Sequence, residues 1–123
     1  MVKIIHGADF HLDSPFSGLS PQHSAQRRSE LRQLPRYLAD LARTEGADLV
    51  LLSGDLLDGM HIYRETVQAL AQALGSIPCP VFIAPGNHDP WSQHSPYAGL
   101  AWPDNVHIFS AQTPEGIDLP DLG

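Results

Sequence analysis

The feature that most constrains the fold is an apolar run that stops at a glycine and is followed by two acids. Residues 49–52 are consecutive aliphatics, Gly54 interrupts the run, and Asp55 and Asp58 follow three positions apart. Four apolar residues bounded by a breaker predict a strand buried on both faces of a parallel sheet. Because ligands of open α/β sheets bind outside the carboxyl ends of the strands, these acids predict a functional site.

Two other predicted strands end in the same way. Residues 2–6 form a β-branched run that leads into Asp9-Phe10-His11, and residues 80–84 lead into Gly86-Asn87-His88-Asp89. The carboxyl ends of neighbouring parallel strands meet at one edge of a sheet. We therefore expect the three polar clusters to converge.

Helical patterns separate these strands. Residues 22–44 carry leucines at helical spacing after a Ser20-Pro21 opening, and Pro35 inside that run predicts a kink or a break. A second helix is predicted over residues 62–74. The order β-α-β-α-β predicts an α/β fold, a mainly parallel sheet flanked by helices, with a further strand at residues 106–109. Residues 115–119 are a weaker strand candidate.

Four arginines share one face of the first helical segment if its turns are continuous. They are Arg28, Arg32, Arg36 and Arg43. A solvated outer face opposite the leucines is the simpler interpretation. A stripe that contacts phosphate is the alternative, because four of the seven Lys and Arg residues gather there.

The composition limits the class of protein. With 123 residues we expect a single domain over 1–123, and 7 Lys+Arg against 14 Asp+Glu give a net charge of −7, which opposes nucleic acid unless metals or a local basic patch reverse the field. The lone Cys79 excludes an intramolecular disulfide and is typical of a reducing compartment. The short apolar N-terminus does not fit a signal peptide, and we expect a cytoplasmic protein without membrane segments.

The clustered side chains offer carboxylate, imidazole and amide donors. These donors suit divalent manganese, iron or zinc, and the lack of thiolates argues against a structural zinc site. A carboxylate can bridge two ions held about 3.5–4 Å apart. Asp55, on the central predicted strand, is the bridging candidate.

The three clusters resemble, in order and spacing, the first three signature blocks of the calcineurin-like metallophosphoesterases. Within that superfamily, residues 6–16 are similar to the opening of the bacterial SbcD-type DNA repair nucleases. The resemblance implies the N-terminal portion of a four-layer α/β/β/α domain. It also implies a DNA exonuclease or endonuclease that hydrolyses phosphodiesters with a water activated by two metal ions, and an SMC-like ATPase partner.

The resemblance also implies a role for each residue of the clusters. The metal ligands would be Asp9, His11, Asp55 and Asn87. The catalytic residues would be His88, Asp58 and Asp89. In that frame His88 contacts the phosphate or protonates the leaving oxygen, and the two acids orient their neighbours. For Asn87 a turn residue is the structural alternative.

The family completes its site with a downstream Gly-His-x-His block, which residues 1–123 lack. We therefore expect truncation at the C-terminus, weak or single-metal occupancy, little activity, and an uncovered apolar sheet surface that favours a homodimer. The alternatives are a phosphatase or phosphodiesterase on small phosphoesters, and an inactive dimerising or partner-docking module. Asp13 and Phe16 are interpreted as surface-loop residues, with lining of a substrate groove as the alternative.

Overall fold

The computed structural model describes residues 1–14, 16, 18–57, 62–86, 95, 97–98, 100–110 and 116–120. Three helices and four strands lie along them. In chain order they are β1 (Ile4–Gly7), α1 (Pro21–Arg32), α2 (Leu34–Glu45), β2 (Leu49–Ser53), α3 (Arg64–Gly75), β3 (Val81–Ala84) and β4 (Val106–Ile108). The predicted α/β class is confirmed.

The four strands form one sheet in the order β1-β2-β3-β4, and every neighbouring pair is parallel. Ile5 pairs with Val50, Val50 with Val81, and Val81 with Val106, so the strands are aligned with little stagger. The carboxyl ends of β1, β2 and β3 therefore lie side by side, as the sequence predicts.

The first helical segment is two helices rather than one. Ser20 caps α1 by accepting a bond from the backbone N of His23 at 3.3 Å, and α1 ends at Gln33. Pro35 lies in the first turn of α2, where its missing N–H costs no helical hydrogen bond. Gly46 ends α2 with a left-handed φ of 63°. The predicted break and the predicted stop are both confirmed.

Only one face of the sheet is fully buried. Val50, Leu52, Val81 and Ile83 point to that face, where they pack with the buried residues of α2 and α3. On the other face Ile4 is 51% exposed, and the alternate positions of β2 are half-buried. The prediction that β2 is buried on both faces is wrong for the described residues, because their helices cover a single face.

On the less buried face of the sheet, aromatic rings pack together near β4. The ring of Phe82 lies 6.0 Å from that of His107 and 5.9 Å from that of Phe109. His107 lies on β4, the last strand in the order of the described sheet. Residues 116–119 form neither helix nor strand, so the strand proposed there is wrong where the chain is described. Within the described ranges, no helix has the length and apolarity needed to span a bilayer.

Candidate metal centre

The loop that follows β1 lies beside the loop that follows β2. The backbone N of Asp9 donates to the carbonyl of Gly54 at 3.1 Å, and that of His11 donates to the carbonyl of Asp55 at 3.0 Å. Leu12 continues the pairing through an isolated parallel bridge. The strand pairing therefore extends past the strand ends and fixes where both loops sit.

The candidate ligands occupy unusual backbone conformations. Asp9, His11 and Asp55 have φ of 58°, 48° and 53°, in the left-handed region. Asp and His are among the residue types that enter this region most readily, yet each such residue costs on the order of 1 kcal/mol. Residues held in this way are frequent at functional sites. The backbone conformations of these three residues therefore lower the stability of the fold while they set the directions of the three side chains.

The side chains of the same three residues come together. One ligand atom each from Asp9, His11 and Asp55 lies within 4.8 Å of the others, and His11 Nε2 is 3.9 Å from Asp9 Oδ1. Asp9 is exposed and the other two are half-buried, so an ion can enter from solvent. Two carboxylates and an imidazole suit a borderline or hard divalent cation. The donor set fits a divalent metal ion, and we call these three residues the metal triad.

A close approach of two glycines brings the end of β3 against the triad. A Cβ atom added to Gly86 would lie 2.5 Å from Asp55 Oδ1 and 3.0 Å from the Cα of Gly54, and Gly54 itself has φ of 83°. Only glycine fits such spacing. The residues proposed to follow in the site, Asp58, Asn87, His88 and Asp89, lie outside the described residues. The structure therefore brings together the β1 and β2 ligands and the glycine that precedes Asn87.

Asp13 connects the loop after β1, which carries Asp9 and His11 and is called the metal loop below, to two helices. Its side chain is fully buried, Oδ1 accepts a bond from Arg32 Nη2 at 3.0 Å, and Oδ2 accepts one from the backbone N of Tyr63 at 2.9 Å. The Arg32 guanidinium also lies 5.6 Å from the centre of the Tyr63 ring. The interpretation of Asp13 as a surface-loop residue is wrong, because its carboxylate is the buried junction of the loop, the end of α1 and the start of α3.

This junction is the part of the site that sequence reasoning missed. Arg32 and Tyr63 lie 19 and 50 residues from Asp13 along the chain, and nothing local marks the three as partners. Phe16, placed with Asp13 in the sequence analysis, is half-buried, and its carbonyl accepts a bond from Ser24 Oγ at 3.0 Å. A buried-acid partner for Arg32 becomes visible only once the helices are placed.

A parallel α/β sheet with a carboxylate and imidazole cluster at its carboxyl edge defines an α/β domain with a candidate metal site. The calcineurin-like phosphoesterase family matches residues 2–119 of this chain. The chain belongs to that family.

A curated relative extends the comparison. The uncharacterized metallophosphoesterase YhaO of Bacillus subtilis (strain 168) is 36% identical to the chain over 121 residues. That alignment covers 93% of this chain and 29% of the relative. The chain thus spans less than a third of the length of this relative.

Proposed function

We propose that this chain carries part of the active centre of a metal-dependent hydrolase of phosphodiesters in DNA. The observation that carries the proposal is the metal triad, whose ligand atoms lie within 4.8 Å of one another in a chain of the calcineurin-like phosphoesterase family. Carboxylates and imidazole at the open edge of a sheet are suited to hold cations where a substrate can reach them.

The roles of the residues form part of the proposal. Asp9 and His11 would hold one divalent ion, Asp55 would be shared between that ion and a second, and Asn87 would bind the second. His88 would contact the phosphate or protonate the leaving oxygen. The supporting acids are Asp58 and Asp89. Gly86, which precedes Asn87 in the chain, lies against Asp55, and this contact supports the role proposed for Asn87.

Manganese is the proposed native metal, with iron and zinc as the other candidates for this donor set. Bound divalent cations supply positive charge that attracts and polarises phosphate and lowers the pKa of water. This charge matters in a chain whose net charge is −7, since the protein alone repels a polyanion. We further propose a cytoplasmic protein that acts with an SMC-like ATPase, on the resemblance of its opening residues to SbcD-type nucleases.

A second candidate function follows from the partly uncovered face of the sheet. Ile4 is 51% exposed there, and Leu49 and Leu51 are half-buried. An apolar sheet face of this kind is suited to pack against a second copy of the chain. Ile4→Lys should then shift sedimentation towards monomer, whereas Leu41→Lys, at a 48% exposed position of α2, should not. Identical monomeric profiles for all three proteins would contradict the homodimer.

Hydrolysis assays test the primary proposal. We expect the chain to cleave bis-p-nitrophenyl phosphate slowly with millimolar Mn²⁺ and not with EDTA. Asp55→Asn should abolish the rate, and Asp118→Asn, at an exposed position, should leave it unchanged. Faster cleavage of a DNA oligonucleotide than of the small ester supports a nuclease, and the reverse order supports a small-phosphoester enzyme. A rate that does not depend on Mn²⁺ contradicts both.

Calorimetric titration with Mn²⁺ tests the ligands without relying on turnover. We expect weak binding of about one ion per chain, because the described triad supplies three ligands and two-metal sites need more. Asp9→Asn should weaken that binding at least ten-fold. Two tight sites would overturn the predicted occupancy, and binding unchanged in the variant would remove Asp9 from the ligand set.

A further inference from the structure

A groove lined by arginines runs along α3 on the side of α1 and α2. Its upper part measures about 510 Å³ and begins at Leu12, and its lower part measures about 480 Å³ and ends at Ser76. Arg32, Pro35 and Ala69 line both parts, so the two are adjacent. The arginines that line it are Arg28, Arg32, Arg36 and Arg43. We call this surface the arginine groove.

The arginine groove has the opposite charge to the whole chain. It gathers four of the seven Lys and Arg residues, and Glu65 is the acid that lines it within the described residues. Two of these arginines also form ion pairs with acids beside the groove, Arg32 with Asp13 and Arg43 with Asp40, so a net positive charge remains. The sequence analysis favoured a solvated outer face for these arginines. Arg32, Arg36 and Arg43 are exposed, in keeping with that interpretation, and they also border the space between α2 and α3. A concave basic surface on an acidic protein indicates a specific anionic ligand rather than bulk attraction.

Two of the arginines are held in place by contacts within the protein. Arg32 donates from Nη2 to Asp13, and Arg43 donates from Nη1 to the carbonyl and hydroxyl of Ser76 at 3.2 and 3.0 Å. Each guanidinium carries five N–H donors, and both side chains remain 44% exposed. An anchored arginine loses less conformational freedom when it binds phosphate. These two are therefore prepared to contact a ligand.

Two further side chains of the arginine groove, Arg36 and Tyr63, are exposed to a ligand. Arg36 is exposed and makes no hydrogen bond or ion pair with any described residue. Tyr63 is 57% exposed, with the Arg32 guanidinium 5.6 Å from its ring centre. Basic grooves that include aromatic side chains are typical of sites for single-stranded nucleic acid, where bases stack on the rings. Duplex readers instead insert an element into the major groove.

We propose that the arginine groove binds single-stranded nucleic acid through its sugar-phosphate backbone, with a base stacked on Tyr63. The 12 residues of α3 give the groove a length of about 18 Å. The upper end of the groove lies at Leu12, next to His11 of the metal triad. A nucleic-acid strand held in the groove therefore leads towards the metal triad. The choice of a phosphodiester polymer rests on the proposed function.

Fluorescence anisotropy with a labelled oligothymidylate, at low salt and in EDTA, tests the groove without any metal. Arg36→Gln should weaken binding about three- to ten-fold and reduce the salt slope by about 1. Tyr63→Leu should weaken it about five-fold or more. Glu65→Gln should tighten it about two-fold, because a negative charge is removed from the lining.

The matched control is Arg27→Gln, which changes the net charge equally. Arg27 is a 64% exposed residue of α1 that lies outside the arginine groove and pairs with Glu30 at 3.2 Å. Its replacement should leave the affinity within two-fold of the parent. Equal losses for Arg27→Gln and Arg36→Gln would reduce the effect to bulk charge and overturn the proposal. Tighter binding of a duplex of the same length would overturn the single-strand assignment.

The design keeps this proposal separate from the proposed function. If the metal centre does not hydrolyse phosphodiesters, cleavage of bis-p-nitrophenyl phosphate fails while oligonucleotide binding in EDTA persists. If the arginine groove is not a binding site, Arg36→Gln leaves oligonucleotide affinity unchanged while Mn²⁺-dependent cleavage of the small ester persists.

Discussion

The two edges of the sheet are built in contrasting ways. At the carboxyl edge, the metal triad combines two carboxylates with three left-handed backbones. At the amino edge, the backbone N of Lys3 donates to Asp48 Oδ2 at 2.8 Å, and Lys3 Nζ donates to the carbonyl of Glu45 at 2.8 Å. Asn105 Nδ2 lies within hydrogen-bonding distance of three carbonyls. The carboxyl edge contains strained backbone conformations and neighbouring carboxylates, whereas the named polar groups of the amino edge have hydrogen-bond partners.

The contrast separates the parts of the molecule that serve stability from those that serve chemistry. Polar groups with matched partners stabilise the folded state, whereas strained backbones and close carboxylates destabilise it unless a ligand compensates. The amino edge also holds the free Cys79, where burial and then the charge of Asp48 raise the pKa of the thiol. A neutral buried thiol is unreactive, in keeping with a structural role. Four substitutions test this division, in order of expected change in stability.

Gly86→Ala should have the largest effect. The new Cβ atom would lie 2.5 Å from Asp55 Oδ1 and 2.6 Å from its backbone N, so the two loops must separate. We expect a loss of about 2–3 kcal/mol in the free energy of unfolding in urea, together with weaker Mn²⁺ binding. Gly18→Ala is the control, because nothing lies within 4 Å of its added Cβ. Equal stability of the two variants would contradict the tight contact.

Asp13→Asn should lower both the stability of the fold and the metal affinity of the carboxyl edge. The variant loses the charge of a fully buried carboxylate that accepts bonds from Arg32 and Tyr63. We expect about 2 kcal/mol lower stability and weaker Mn²⁺ binding, since the loop carrying His11 is released from the helices. Asp104→Asn, at an exposed position, should change neither property. Lower stability with unchanged metal affinity would show that the junction does not position the metal loop.

Asn105→Ala should act on the amino edge alone. Its side-chain nitrogen lies 2.9 Å from the carbonyl of Leu74, 3.0 Å from that of Ile77 and 3.3 Å from that of Cys79. Loss of this donor should cost about 1–2 kcal/mol in urea unfolding, with Mn²⁺ affinity unchanged. The exposed Gln68→Ala provides the baseline. A fall in metal affinity would show that the two edges are coupled.

Asp9→Asn should have the smallest effect on stability and the opposite sign. The change removes one of two nearby carboxylates, and asparagine tolerates the φ of 58°. The side chain is 65% exposed, so we expect a gain of about 0.5 kcal/mol or less. Mn²⁺ binding should nevertheless fall at least ten-fold. A stability loss above that of Asp104→Asn would contradict a carboxyl edge that opposes folding.

The sequence predicted the elements and the convergence of the loops because both follow from short-range rules. Apolar runs ended by glycine mark β2 and β3, Ser20 and Pro21 mark the start of α1, and Pro35 marks a break. Parallel pairing then requires the strand ends to meet. The sequence alone therefore predicts that Asp9, His11 and Asp55 lie close together.

The errors concern contacts between residues distant along the chain. The burial of Asp13 depends on Arg32 and Tyr63, which approach it only once α1 and α3 are in place. Leu41, one of the leucines at helical spacing in residues 22–44, is 48% exposed, because the buried face of α2 runs through Pro35, Leu38, Ala39 and Ala42. Leucine spacing alone does not show that proline and alanines form the centre of the buried face.

The bridge between Leu12 and Leu57 makes the ligand-bearing segment an extension of the strand pairing. The amides of His11 and Leu12 donate to carbonyls of the neighbouring loop at 3.0 and 2.9 Å, so they should exchange with deuterium as slowly as amides of β1. The loss of backbone freedom needed to assemble the ligands then occurs when the chain folds. Binding of a cation should then need no further ordering of this loop, and ordering of the loop should not limit the association rate of the cation.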